Sequence, residues 1–250
     1  MFQDHSALAT LAVAESHPTS LAEITSVPRQ DAKVVLSPTN VAIATGLILL
    51  PAVAGLVGGL GLIALGVSLA NVNQAITAVC VLCGLGWGVL CIVVLLRHQH
   101  YLASHYQRRV ARTAFKRRSG CLVNPGDSQA RWLEILPRSS FSKWGPANDI
   151  GFLSIDPANR QLCLEGDAKR YAMPFESVVS CEVEAVQLES DQWGTDQYFV
   201  VVLAVNTDSG VRELPLATKP LTFTRRRMPE RQAEAEELCE AIRGAIGELA

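Results

Sequence analysis

The amino-acid sequence predicts an α+β protein, in which a two-helix transmembrane hairpin precedes a seven-stranded antiparallel barrel capped by a C-terminal helix. Three observations support this prediction. No charged residue or histidine occurs between Lys33 and Arg97, many short segments after residue 130 alternate apolar and polar residues, and the chain ends with an amphipathic stretch. Helices that are apolar on every face are typical of membranes, and alternation is typical of half-buried strands.

The uncharged stretch is too long for one membrane-spanning helix. Residues 41–96 number 56, and one helix of that length would reach about 84 Å, against a hydrocarbon core of about 30 Å. Its only polar cluster is Asn71, Asn73 and Gln74, and asparagine favours turns. We therefore predict two helices, at 42–69 and 75–97, joined by a tight turn.

Four glycines in these helices are candidates for helix packing. They stand four residues apart in each helix, at Gly55 and Gly59 and at Gly84 and Gly88. Small residues at this spacing let helix backbones approach closely in lipid. The glycines therefore indicate a hairpin closed on itself or a homodimer, although glycine is also simply common in membrane helices.

A basic neck follows the second helix at residues 97–118, with seven Lys or Arg and no acidic residue. By the positive-inside rule, this neck places both termini in the cytoplasm and the hairpin in the cytoplasmic (inner) membrane. The same bases are candidate contacts to anionic lipid headgroups. This set comprises Arg108, Arg109, Arg112, Lys116, Arg117 and Arg118. The alternative is that the neck serves only as a topology signal.

The chain thus divides into four predicted regions. Three prolines interrupt residues 1–40, which lack a signal peptide pattern, so we expect a disordered or loosely ordered cytoplasmic tail. The hairpin occupies 41–97, a basic juxtamembrane helix and linker occupies 98–130, and the folded domain occupies 131–250.

The folded domain contains seven candidate strands separated by turn sequences such as Glu165-Gly-Asp167 and Asp208-Ser-Gly210. They are 132–137, 150–156, 161–165, 170–175, 178–188, 198–206 and 211–216. The segment Tyr198–Val205 is apolar throughout, which predicts a central strand. After Pro229, the residues Leu238, Ile242, Ala245 and Leu249 form one stripe of a closing helix.

The segments GFLSIDPANRQLCLEGDAKRYAMPFESVVSCEVE and YFVVVLAVNTDSGVRELPLA, followed by the terminal helix, resemble the pleckstrin-homology-like (PH-like) domains of bacterial membrane proteins. The resemblance implies an open barrel plugged at one end by the helix, and a binding module. Some relatives bind phosphoinositides through the first hairpin loop. The matching loop spans residues 138–146, where the resemblance implies lipid contact by Arg138 and Lys143 and membrane insertion of Phe141 and Trp144.

No catalytic set is evident, since no histidine follows His105 and no nucleotide-binding loop occurs. We therefore expect neither enzymatic activity nor a cofactor or metal. Residues 131–250 carry 13 basic and 19 acidic residues, a balance of −6, which argues against nucleic acid as a partner. The leading hypothesis is a membrane-anchored scaffold that binds a protein partner or its own copies. The alternatives are a channel or transporter subunit with a regulatory β domain, and an anionic-lipid sensor.

Overall fold

The computed structural model describes residues 20–71, 73–98, 101–138, 147–190, 194–218 and 228–247. It contains four helices and eight strands within these ranges. In chain order they are β1 (Glu23–Ser26), α1 (Pro38–Ser68), α2 (Gln74–His98), α3 (Tyr101–Phe115), β2 (Arg131–Ile135), β3 (Asp149–Asp156), β4 (Gln161–Gly166), β5 (Lys169–Pro174), β6 (Val178–Ser190), β7 (Gly194–Thr207), β8 (Gly210–Thr218) and α4 (Met228–Gly247).

Helices α1 and α2 form the apolar hairpin that the uncharged stretch predicts. Ser37 caps α1 by accepting a hydrogen bond from the Asn40 amide, and Pro38 occupies the first turn, where its missing N–H is not needed. Asn73 lies in the connecting turn, and its side-chain oxygen accepts a 2.9 Å hydrogen bond from the Ala75 amide at the start of α2. The predicted turn is therefore confirmed.

Both hairpin helices are long and apolar enough to cross a membrane, and their apolar side chains lie at the surface. Only 17% of the most apolar window of α1 and 11% of that of α2 is buried. Leu56, Val57 and Leu82 are each more than 60% exposed. A core helix of a soluble protein would bury such residues, so the hairpin presents a large apolar surface to its surroundings.

The sheet differs from the predicted barrel, because it has eight strands rather than seven and does not close. Its order is β1-β5-β4-β3-β2-β8-β7-β6, with antiparallel pairing throughout. The seven predicted strands correspond to β2–β8. The eighth, β1, precedes the hairpin in sequence and pairs with β5, from Glu23 opposite Ala172 to Ser26 opposite Lys169.

The prediction of a loosely ordered tail is wrong for residues 20–36, and residues 1–19 lie outside the described part of the chain. Beyond β1, the Ala22 amide donates to the Asn206 carbonyl of β7, and the Val27 amide to the Ala168 carbonyl. The sequence does not predict β1, because a strand of four residues is too short to show alternation. The strand that pairs with it, β5, is about 145 positions away in the chain.

Each face of the sheet packs against a different helix. Helix α4 lies over the larger core, where Leu238 and Ile242 of the predicted stripe are fully buried with Leu203 of the central strand β7. Helix α3 lies over the other face, where Phe115 contacts Phe152 edge-on with 6.0 Å between ring centroids. The smaller core also contains Val35, from the residues just before α1. The chain on either side of the apolar hairpin is therefore part of the folded domain.

Candidate functional site: the joint between hairpin and sheet

A buried ion-pair cluster connects the basic neck to the sheet, and we call Arg118, Glu165 and Asp167 the joint. The Arg118 guanidinium lies 3.2 Å from a Glu165 oxygen and 3.3 Å from an Asp167 oxygen, and the three side chains are at most 1% exposed. It also donates to the carbonyl oxygens of Gly166 at 2.7 Å and Asp31 at 2.6 Å. The prediction that Arg118 contacts lipid is therefore wrong, because its charge is enclosed by protein.

Asp167 fixes the chain that enters the hairpin. Its carboxylate accepts hydrogen bonds from the amides of Val34 at 2.9 Å and Leu36 at 2.8 Å, and its carbonyl accepts one from the Lys33 amide. Asp167 lies in the turn between β4 and β5. The entry to α1 is thus held by charge-assisted hydrogen bonds to the sheet.

Glu165 fixes the chain that leaves the hairpin. Besides Arg118, its carboxylate accepts from Arg170 at 3.0 Å and from the Leu122 amide at 3.0 Å. Arg170 donates in turn to the Ser119 carbonyl. Since Ser119 and Leu122 follow α3, the segment before α1 and the segment after α3 meet at the same turn of the sheet.

The β4–β5 turn is itself held by Asp149 at the start of β3. The buried Asp149 carboxylate accepts hydrogen bonds from the amides of Asp167, Ala168 and Lys169, at 2.7–3.0 Å. Burial raises the pKa of this carboxyl, and the amide donors act in the opposite direction. A side chain at Gly166 would collide with this carboxylate, so the close approach requires glycine.

The remaining bases of the neck fall into two groups. Arg108, Arg109 and Arg112 line a groove of about 470 Å³ on α3, together with His105 and Tyr106. Lys116 and Arg117 are exposed and lie outside this groove. The Tyr106 hydroxyl donates a 2.6 Å hydrogen bond to the side-chain oxygen of Asn40. The end of the groove at Tyr106 therefore lies beside the start of α1.

The loop that the resemblance assigns to lipid is described only at its first residue. Arg138 pairs with Glu184 of β6 and with Glu213 of β8, at 2.7 Å from the latter. These carboxylates raise the pKa of Arg138 and offset its charge. Phe141, Lys143 and Trp144 lie outside the described residues.

All four predicted packing glycines lie where the hairpin helices meet, and three of them would place a Cβ against the other helix. A Cβ at Gly84 would lie 2.7 Å from the Gly59 carbonyl oxygen, and one at Gly55 would lie 2.7 Å from the Cβ of Cys91. A Cβ at Gly88 would meet nothing within 4 Å. Gly66, which the four-residue spacing does not identify, approaches Cys80 in the same way. The close contacts therefore lie within the hairpin.

The chain matches no family model, no curated protein and no solved structure. Within the described ranges, no group of three or more His, Cys, Asp or Glu side chains is arranged to hold a metal ion. The structure thus defines a class by its architecture alone, namely an antiparallel sheet domain joined at two points to an apolar helical hairpin.

The acidic half of the joint was not predicted as a site. Glu165-Gly-Asp167 was identified only as a turn sequence, and Arg118 was grouped with six other bases. The feature of the sequence that could indicate a buried site here is a pair of acidic residues that flank a glycine between two strands. Burial of such a turn requires a cation, but the sequence does not show which of the 22 Lys and Arg residues supplies it.

Proposed function

We propose that this protein is a membrane-anchored scaffold. In this proposal the apolar hairpin spans the cytoplasmic membrane, both termini are cytoplasmic, and the hairpin holds a PH-like domain at the inner leaflet, where it binds a protein partner or its own copies. The observation that carries the proposal is the joint: the segment before α1 and the segment after α3 are both bonded to one turn of the sheet, so the domain is connected to the hairpin on both sides of it in the chain.

Two features support the membrane location. The exposed side chains of α1 and α2 are apolar, and transfer of such surface from water to lipid is favourable by about 25 cal/mol per Å². The neck that follows α2 is basic, as expected for a cytoplasmic flank. Seven consecutive antiparallel strands followed by a helix also support the PH-like assignment.

An open strand edge supports the binding role. Among the described strands, β6 pairs with β7 alone. An edge strand offers unpaired backbone groups to another extended chain, although on β6 the Cys181 carbonyl already accepts hydrogen bonds from Cys239 and Arg243 of α4. Val179 lies on this edge, is 54% exposed, and marks an irregularity between Val178 and Ser180 in the pairing with β7.

A photo-crosslinking experiment tests the scaffold function. The photoreactive residue p-benzoylphenylalanine replaces Val179 in the full chain, in native membranes, and Val211 serves as the matched control because it is an equally exposed valine, at 62%, on β8. We expect a discrete adduct from position 179 and not from 211. The adduct mass separates a second copy from another protein. Equal or absent adducts at the two positions would contradict binding at the β6 edge.

A further inference from the structure

The groove on α3 combines three arginines that lack the carboxylate partners found elsewhere in the domain. Arg118, Arg131, Arg138, Arg160 and Arg170 each lie within 4.0 Å of a Glu oxygen. Within the described part of the chain, Arg108, Arg109 and Arg112 have no such ion pair. The groove therefore concentrates positive charge without an internal counter-charge.

Two of these arginines are partly desolvated. The Nε atoms of Arg108 and Arg112 are buried and have no hydrogen-bond partner among the described residues. A buried donor that stays unsatisfied is destabilising, and more so when it is charged. Burial, followed by repulsion from Arg112, lowers the pKa of Arg108. An anion in the groove would offset the repulsion between Arg108 and Arg112 through its negative charge, and it would accept hydrogen bonds from the accessible guanidinium groups.

The groove begins where the apolar surface of the hairpin ends. Val41 and Ile43 of α1 are more than 40% exposed and follow Asn40, which bonds to Tyr106. Arg108 and Arg112 follow Tyr106 by two and six residues, which is about 3 and 9 Å along a helix. The headgroup layer of a bilayer extends about 5–8 Å beyond the hydrocarbon core. Arg108 thus lies within the depth of the headgroup layer and Arg112 at its outer boundary, if the hairpin spans the membrane and α3 runs along the membrane normal.

We propose that the groove lined by Arg108, Arg109 and Arg112 is a binding site for a phosphate group. The planar guanidinium groups provide paired donors that match phosphate oxygens, and the groove is open, so a phosphate group can reach them from the surface. The phosphate comes from an anionic lipid headgroup or from solution. The lipid source rests on the proposed membrane function, whereas the phosphate site itself does not.

Titration of the full chain in a non-ionic detergent tests the site. The two probes are dihexanoyl phosphatidic acid, kept below its micelle concentration, and inorganic phosphate. The test variant is R108Q/R112Q. The matched control is K116Q/R117Q, which removes two charges from the same neck but outside the groove. Unfolding midpoints of both variants verify the fold, and R109Q provides a second test at an exposed arginine of the groove.

We expect saturable binding of at least one probe, weakened about tenfold or more in R108Q/R112Q and less than about twofold in K116Q/R117Q. Binding of phosphatidic acid alone identifies a lipid headgroup as the source, and equal binding of inorganic phosphate identifies a soluble source. The proposal is overturned if neither probe saturates, or if the two double variants lose affinity equally. Such a failure leaves the scaffold function intact, since that depends on the adduct at Val179.

Discussion

The Arg118 guanidinium and the Asp167 carboxylate form an ion pair of 3.3 Å, in which both side chains are at most 1% exposed. Arg118 follows the helix that leaves the apolar hairpin, and Asp167 binds the amides of Val34 and Leu36 just before the helix that enters it. One pair of residues thus joins the segment before α1 and the segment after α3 to the sheet. The predictions below test this connection and its surroundings.

Replacing Arg118 by methionine should strongly destabilise the domain. R118M removes the cation from Asp167, which is then a buried negative charge without an ion-pair partner in the part of the chain that the structure describes, whereas Glu165 keeps Arg170. A loss of about 3–5 kcal/mol in the free energy of unfolding is typical of such a broken buried pair. Denaturant unfolding of the detergent-solubilised chain, followed by tryptophan fluorescence, measures the loss. Trp132 reports on it directly, because it packs on Phe152 in the adjoining core.

The control for this change is R117M. Arg117 is the preceding residue, carries the same charge and is exposed, so we expect a change within about 0.5 kcal/mol. Equal destabilisation by R117M and R118M would show that the neck acts through its overall charge, and that the buried pair has no special role.

Replacing Gly84 by alanine should weaken the hairpin. The new Cβ would lie 2.7 Å from the Gly59 carbonyl oxygen and 2.9 Å from Ile63, and overpacking of this kind costs about 1–3 kcal/mol. SDS titration of the solubilised protein measures the effect. Trp87 reports on helix separation, because its ring nitrogen donates to the Ala54 carbonyl across the hairpin.

The matched control is G86A, two residues away on the same helix, where a Cβ meets nothing within 4 Å. We expect G86A to unfold at the same SDS concentration as the parent or at a higher one, because alanine favours a helix over glycine by up to about 1 kcal/mol. A lower midpoint for G86A than for G84A is incompatible with this packing.

The Cys121 thiol should make stability depend on alkaline pH. Burial, followed by the nearby Glu165 charge, raises the pKa of Cys121 to about 11, against about 8.5–9 in an unfolded chain. Between these values the unfolded chain loses the proton first. Unfolding therefore releases a proton, and stability falls as the pH rises from about 9 towards 11.

The variant C121S isolates this effect from other groups that titrate at high pH. Serine does not ionise in this range, and its hydroxyl can keep the hydrogen bond that the thiol donates to the Val123 carbonyl. We expect a shallower decline of the thermal midpoint above pH 9 in C121S than in the parent. Parallel declines in the two proteins would argue against a raised pKa at Cys121.

Local composition predicted the hairpin and most of the sheet, because both depend on patterns that repeat within a short segment. A continuous apolar run marks α1 and α2, and alternation marks β2–β8. The four-residue strand β1 has no such pattern, and it is stabilised by Ile24 packing on the main core and by pairing with β5. Its absence from the prediction accounts for the error in strand number.

The joint could not be predicted for a related reason. Arg118 is one of seven bases in the neck, and its partners Glu165 and Asp167 lie 47 and 49 positions away. Charge in a basic segment is ordinarily solvated, so position in sequence alone favours a surface role for Arg118. The Arg118 guanidinium reaches the buried cluster because Phe115 packs α3 on the sheet. The guanidinium carbon lies 4.1 Å from the centroid of the Phe115 ring.

Hydrogen exchange of the Val34 and Leu36 amides, in the full chain within lipid nanodiscs, tests the joint most directly. Both amides donate to Asp167, so they should exchange as slowly as core amides of β4 such as that of Leu164. In R118M their exchange should accelerate more than that of Leu164. Exchange in the parent protein at the rate of an unprotected peptide would show that residues 34–36 are a free linker, and would contradict the proposed connection between hairpin and sheet.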